Sequence, residues 1–202
     1  MATASVAGGK RVAGRLNAWI CFADEAGQTL RPAKATTWAA RGHTPVVKVT
    51  AKGGVRVSVA GLVCYRPGHR SRLFYRTLTY RGRKGDPKGF RERELVALLD
   101  AAHQQLGAPI VVVWDQLPAH KSGRMRQLLA VRPWLRVYQL PGYAPELNPT
   151  EKVWSVMKHS LANLAATTAT TLTAAVKNRL NRMQYRETLI DNYLAATGLR
   201  PP

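Results

Sequence analysis

Apolar positions change period several times along the chain, and each change marks an element. Residues 16–23 (LNAWICFA) form an apolar run closed by Asp24, the pattern of a short buried strand. β-Branched residues alternate through 55–66 (VRVSVAGLVCYR), and apolar or aromatic positions alternate with polar ones through 72–80 (RLFYRTLTY). Both segments predict antiparallel strands. Between them, 31–54 carries the Gly and Pro residues of a hairpin with loops. From 90 to 106 the period lengthens, and Leu95, Leu98, Leu99 and Ala102 fall on one face of a helix. IVVVW at 110–114 is wholly apolar and β-branched, as expected of a strand covered on both faces. A helix is predicted over 119–130, a buried strand over 134–140 (WLRVYQL), and a helix from near Pro149 to about residue 161. The last helical segment, about 170–186, sets Leu172, Val176, Leu180 and Met183 on one stripe.

The order is three strands, then helix, strand, helix, strand, helix. It predicts an α/β sandwich around a mixed five-stranded sheet. Two acids, Asp24 and Asp115, close apolar runs, and open α/β sheets commonly build their sites at strand ends.

The 202 residues suffice for one well-buried domain, and with 46% hydrophobic residues a packed core is expected. Lys and Arg number 31 against 11 Asp and Glu, a formal charge of +20, so a salt-sensitive attraction to nucleic acid is expected. No long apolar span or basic amphipathic anchor points to a membrane. Cys21 and Cys64 lie in strand-like runs without zinc-site spacing and read as buried free thiols of a reducing cytosol. Residues 1–15 lack the apolar core of a signal peptide and read as a flexible basic arm. The five tryptophans read as packing residues.

The candidate chemistry lies in the acids. Asp24, Asp115 and Glu151, the last 36 positions after Asp115, form a possible carboxylate triad at one sheet edge. Three crowded carboxylates repel one another unless cations neutralise them, so convergence would imply metal binding. Each acid also has a structural alternative. Asp24 would serve as a turn former, and Asp115 as a cap or turn residue before the next helix. Asn148, Pro149 and Glu151 fit the N-cap, N1 and N3 positions of a capping box. His120 would touch a phosphate or orient a ligand, or else sit on the surface at a helix start. Gln116 would shape the same loop. The cations Arg66, Arg70, Arg72, Arg76, Arg81, Arg83, Lys84, Lys88, Arg91 and Arg93 read as a phosphate-backbone track. Lys121, Lys152 and Lys158 join His120 as further candidate DNA contacts near the acids.

The segments FADEAG around Asp24, VVVWDQLPAH with Asp115 and His120, and LPGYAPELNPTEKVW with Glu151 carry a resemblance. The chain resembles the catalytic domain of DDE transposases, in the bacterial insertion-sequence branch of the mariner-like superfamily, over roughly residues 16–197. That resemblance implies a ribonuclease H-like fold over 16–197, with a tail at 198–202, and two Mg²⁺ or Mn²⁺ ions on Asp24, Asp115 and Glu151. It implies cleavage and strand transfer of DNA, at transposon ends and target, by a homodimer in the nucleoid of a bacterial cytoplasm. Relatives often have Asn where this chain has Gln116, and they usually carry helix-turn-helix domains before the catalytic domain. Fewer than about 25 residues precede Asp24, so end recognition is expected from a partner polypeptide, from an upstream reading frame, or not at all. Two other expectations share these residues: a ribonuclease H-like nuclease without strand transfer, and a truncated or domesticated DNA-binding relative.

Overall fold

The computed structural model describes residues 2–31, 36, 38–46, 54–142 and 144–198. Five strands form one sheet: β1 (Trp19–Thr29), β2 (Arg56–Tyr65), β3 (Arg72–Tyr80), β4 (Ile110–Trp114) and β5 (Leu135–Gln139). Their spatial order is β3-β2-β1-β4-β5. The first three run antiparallel, while β4 and β5 lie parallel to β1. Among the described residues seven α-helices accompany them: α1 (Ala2–Leu16), α2 (Glu92–Leu106), α3 (Pro118–Lys121), α4 (Gly123–Ala130), α5 (Thr150–Ser160), α6 (Ala169–Gln184) and α7 (Glu187–Ala195).

Strand alternation sends successive side chains into two separate cores. Ile20 and Phe22 of β1, with Val111 and Val113 of β4, pack beneath α1, α5, α6 and α7. Cys21 of β1, with Ile110, Val112 and Trp114 of β4, meets α2 and α4 through Leu95, Leu98, Leu99 and Met125. The sheet is thus covered on both faces, which explains the continuous apolar run of β4. The two free cysteines face each other across β1 and β2 and are fully buried. Four tryptophans are buried or half-buried, whereas Trp38 is fully exposed.

Several expectations need correction. Residues 2–16 are not a flexible arm; they form a helix seated on β4 and β5. Small residues make that seat possible. Gly9 lies so close to the Tyr138 ring that a Cβ there would stand 3.5 Å from it, and Ala13 is buried. With Gly9, Val12 and Ala13 on its described contact face, the helix shows only a weak apolar stripe. Strand β1 does not end at Asp24. Its parallel pairing with β4 stops at Phe22↔Val113, but its antiparallel pairing with β2 continues to Thr29↔Arg56. The helix expected over 119–130 is broken at Ser122, whose extended backbone ends α3 and whose hydroxyl accepts the N–H of Met125 to cap α4. An additional helix, α7, follows α6 and buries Ile190, Tyr193 and Leu194. Half of the hairpin expected at 31–54 lies outside the described residues; its described part, residues 31, 36, 38–46 and 54, holds turns and irregular backbone.

Candidate active site

The end of the parallel pairing creates the site. Where β4 stops, β1 continues alone beside β2, and the chain leaving β4 turns away at Asp115. Asp24 follows Ile20 and Phe22 on one face of β1, and Asp115 continues the alternation of Val111 and Val113. Glu151 arrives in the first turn of α5. All three line one cleft of about 500 Å³, walled also by Leu117, Pro118, Pro141 and Pro145.

Three side chains of α5 and its lead-in fasten that helix to β1 at consecutive residues. The Thr150 hydroxyl donates to the Phe22 carbonyl at 2.8 Å. The Asn148 amide donates to the Ala23 carbonyl at 3.3 Å. The Trp154 indole Nε1 donates to Asp24 Oδ2 at 2.9 Å. Asn148 also accepts the Thr150 N–H, so it caps the helix start. The capping box is not completed by Glu151, because the Asn148 N–H donates to the Pro145 carbonyl. Glu151 is exposed to the cleft.

The electrostatics follow from this arrangement. Burial, followed by the charge of Glu151 and a smaller contribution from Asp115, raises the Asp24 pKa from its ordinary 3.8 to about 7. Asp115 goes the other way. Burial would raise it, but bonds from His120 and from the Leu117 N–H outweigh this and hold its pKa low. Both bonds fall on Oδ1: His120 Nδ1 at 2.7 Å and the Leu117 N–H at 3.0 Å. Asp115 therefore does form the turn that its position allows, while still lining the cleft.

His120 is neither a surface residue nor placed to meet a phosphate. It is 4% exposed and stacks on Trp114 with ring centroids 4.3 Å apart. Its Nε2 reaches Glu25 Oε1 at 3.4 Å, so the ring bridges the end of β4 to β1. Burial disfavours its charge, but bonds to Asp115 and Glu25 prevail and raise its pKa to about 9. Gln116 ties two cleft loops together: its Nε2 donates to the Leu140 carbonyl at 3.0 Å, and its Oε1 accepts Lys121 Nζ at 2.7 Å.

The candidate DNA contacts other than the buried His120 lie on the surface but are not gathered at the cleft. Arg70, Arg72, Arg81, Arg83, Lys84, Lys121, Lys152 and Lys158 are all exposed. Lys152 adjoins the acids, in a recess shared with Glu151 and Ser155. Arg70 and Arg72 line a separate recess with Phe74 and Tyr185. It lies toward the other end of the sheet, since Arg72 pairs with Cys64, three positions from the Asp24↔Gly61 pair. Glu25, Thr150 and Trp154 were not singled out from the sequence, and Asn148 was singled out only as a helix cap. The clue to them was available, since all but Glu25 fall within the motif LNPTEKVW.

Among the described residues, no three His, Cys, Asp or Glu side chains crowd one point as a single-ion cage. Asp24 and Asp115 are instead each held by a partner of their own, Trp154 and His120. The donor set is all carboxylate oxygen, the chemistry preferred by Mg²⁺ and Mn²⁺.

A mixed sheet with one acid in its central strand, one after the adjacent parallel strand and one in the first turn of the helix after β5 matches a ribonuclease H-like fold with a carboxylate site. The model of the DDE superfamily endonucleases matches residues 19–173, and the chain belongs to that family. No curated protein matches it by sequence. Its fold is similar to that of the Mos1 transposase paired-end complex with left transposon end, at 15% identity and a TM-score of 0.57 over 99% of this chain and 62% of that one. Against the Mos1 strand transfer complex the identity is 16% and the TM-score 0.62, over 98% of this chain and 56% of that one. Against the catalytic domain of Mos1 mariner transposase they are 13% and 0.52, over 98% and 94%. The chain therefore spans 56–62% of the longer Mos1 chains and nearly all of the isolated catalytic domain.

Proposed function

We propose that the chain carries the catalytic centre of a transposase of the bacterial insertion-sequence branch related to mariner. It cleaves DNA at the ends of its element and joins the freed ends to a target. The observation that carries this reading is the placement of Asp24, Asp115 and Glu151 around one cleft, with Asp24 feeling the charge of both others. A cation beside Asp24 offsets the repulsion that raises its pKa. Two Mg²⁺ or Mn²⁺ ions would be held by Asp24, Asp115 and Glu151. When bound, such a pair supplies an activated attacking oxygen and a stabilised leaving oxygen across the scissile phosphate. His120 keeps the Asp115 carboxylate oriented, Gln116 fixes the loops that wall the cleft, and the basic surface neutralises the DNA backbone.

The similar Mos1 folds include a paired-end complex and a strand transfer complex, which supports a working homodimer on paired ends. Recognition of the terminal repeats belongs, in this reading, to a helix-turn-helix partner or an upstream reading frame. The site of action is the bacterial nucleoid.

The test is incubation with labelled terminal-repeat DNA and Mn²⁺, with and without the adjacent upstream gene product. Nicking and joining are expected from the wild-type chain. Asp115→Asn and Glu151→Gln are expected to abolish both while leaving folding and non-specific DNA binding intact. Wild-type cleavage by Asp115→Asn would refute the triad. Hydrolysis without joining would reduce the protein to a nuclease.

A further inference from the structure

We propose that Trp154 is the positioning residue for Asp24, and that Gly61 is the residue that makes room for it. This rests on the reading of Asp24 as a metal-holding acid and adds a residue that the reading does not contain. Trp154 lies three positions after Glu151 on α5, so one helical turn delivers both the third acid and the clamp on the first. Its ring is 1% exposed, and its one polar atom is spent on Asp24 Oδ2 at 2.9 Å. A buried indole N–H takes such a partner because leaving it unpaired is costly.

The ring reaches Asp24 by crossing β2 at Gly61, the residue paired with Asp24 in the sheet. A Cβ at position 61 would stand 2.5 Å from Trp154 Cη2 and 2.8 Å from Cζ2, closer than any side chain tolerates. Glycine at 61 is therefore required by the close approach of the indole, and β2 otherwise has no reason to interrupt its run of β-branched and apolar residues there. Thr150 and Asn148 pin the same helix to the two preceding residues of β1, so the indole has little freedom to leave. One carboxylate oxygen of Asp24 is thus held by a rigid donor, and its rotamer is fixed before any cation arrives. Partners of this kind around metal-holding carboxylates set affinity without touching the ion.

The experiment compares the full-length wild type with Trp154→Phe, Gly61→Ala and Asp24→Asn. Mn²⁺ binding is read by electron paramagnetic resonance, and nicking of duplex DNA is followed as a function of Mn²⁺ concentration. The indole N–H signal of Trp154 is followed by NMR in isotope-labelled wild type and Asp24→Asn. Trp154→Phe keeps the ring and loses only the donor. It is expected to raise the Mn²⁺ concentration for half-saturation by about 10–100-fold, with DNA affinity and circular dichroism unchanged. Gly61→Ala keeps the donor but displaces the ring, and is expected to show the same shift. The Trp154 indole signal is expected to move in Asp24→Asn. Unchanged Mn²⁺ dependence in a folded Trp154→Phe overturns the proposal. If that variant does not fold, unchanged Mn²⁺ dependence in Gly61→Ala overturns it. A static indole signal in Asp24→Asn overturns it without reference to metal. Wild-type cleavage by Asp24→Asn would instead refute the triad, so the two failures are distinguishable.

Discussion

Asp24→Asn is expected to make the ion-free protein more stable at alkaline pH while removing its activity. In the folded chain the Asp24 carboxyl titrates at about 7, against 3.8 ordinarily, because it is buried and faces Glu151 and Asp115. The folded state therefore holds this proton more tightly than the unfolded state does. Stability falls as pH rises from about 4 to about 7, and the loss is complete above that. A shift of about three pH units corresponds to about 4 kcal/mol. Asparagine carries no charge at any of these pH values, and its amide oxygen accepts only a neutral bond from Trp154, comparable to that of the protonated acid and weaker than the charge-assisted bond to the carboxylate. The difference in unfolding free energy between variant and wild type should thus be near zero at pH 4 and grow toward about 4 kcal/mol at pH 8. Denaturant melts in EDTA across that range measure it, and subtracting the two proteins cancels the titration of all other groups. Added Mn²⁺ should restore the wild type in proportion to the logarithm of its concentration and restore Asp24→Asn much less. A difference that is flat with pH would refute the account of Asp24 as an acid burdened by its two neighbours.

His120→Ala should cost about 2–3 kcal/mol near pH 6, the scale of a buried bond to a charged partner. Because the His120 pKa is raised to about 9, its charged-state contribution is complete below about 6.5 and fades as pH rises through 9, so the loss should shrink by pH 10. A pH-independent loss would show that the ring acts by packing alone. Binding of this chain to DNA without recognition sites should fall steeply with salt, and a log–log slope equivalent to only about one or two phosphates would remove the Arg66–Arg93 stretch as a backbone track. Gly9→Leu should destabilise the fold by about 1–3 kcal/mol, since a Cβ at this position would already touch Tyr138 and Val111 and the rest of a leucine side chain must displace them. Unchanged denaturant midpoints in that variant would refute the seating of α1 on the sheet.

The elements that were legible in the sequence are those whose side chains face a large apolar core. β3 begins and ends where its alternation does, at Arg72 and Tyr80, and α2 buries the four residues that its period selects. The acids were legible as well, because Asp24 and Asp115 interrupt apolar runs at residues that the sheet brings to one edge. What escaped depends on contacts between distant residues. Helix α1 is held by glycine against an aromatic ring, a contact with no signature in hydrophobic periodicity. The continuation of β1 past Asp24 is set by its partner β2, since residues 24–29 are too mixed in polarity to read as a strand by themselves. His120 was visible as a histidine near an acid, but its burial follows from stacking on Trp114 and from Glu25, 95 residues earlier.

The fastening of α5 to β1 also bears on when the protein can become active. The three bonds join residues 125, 128 and 130 positions apart, so the cleft's first and third acids meet only after most of the chain exists. During synthesis the sheet residues emerge well before Thr150 and Trp154, and chains made from the N-terminus fold progressively as they appear. A nascent chain carrying Asp24 and Asp115 but not α5 would lack both Glu151 and the clamp on Asp24. A ribosome-bound or prematurely ended fragment that stops before α5 thereby has an incomplete set of acids, and the site is assembled only when α5 closes onto β1.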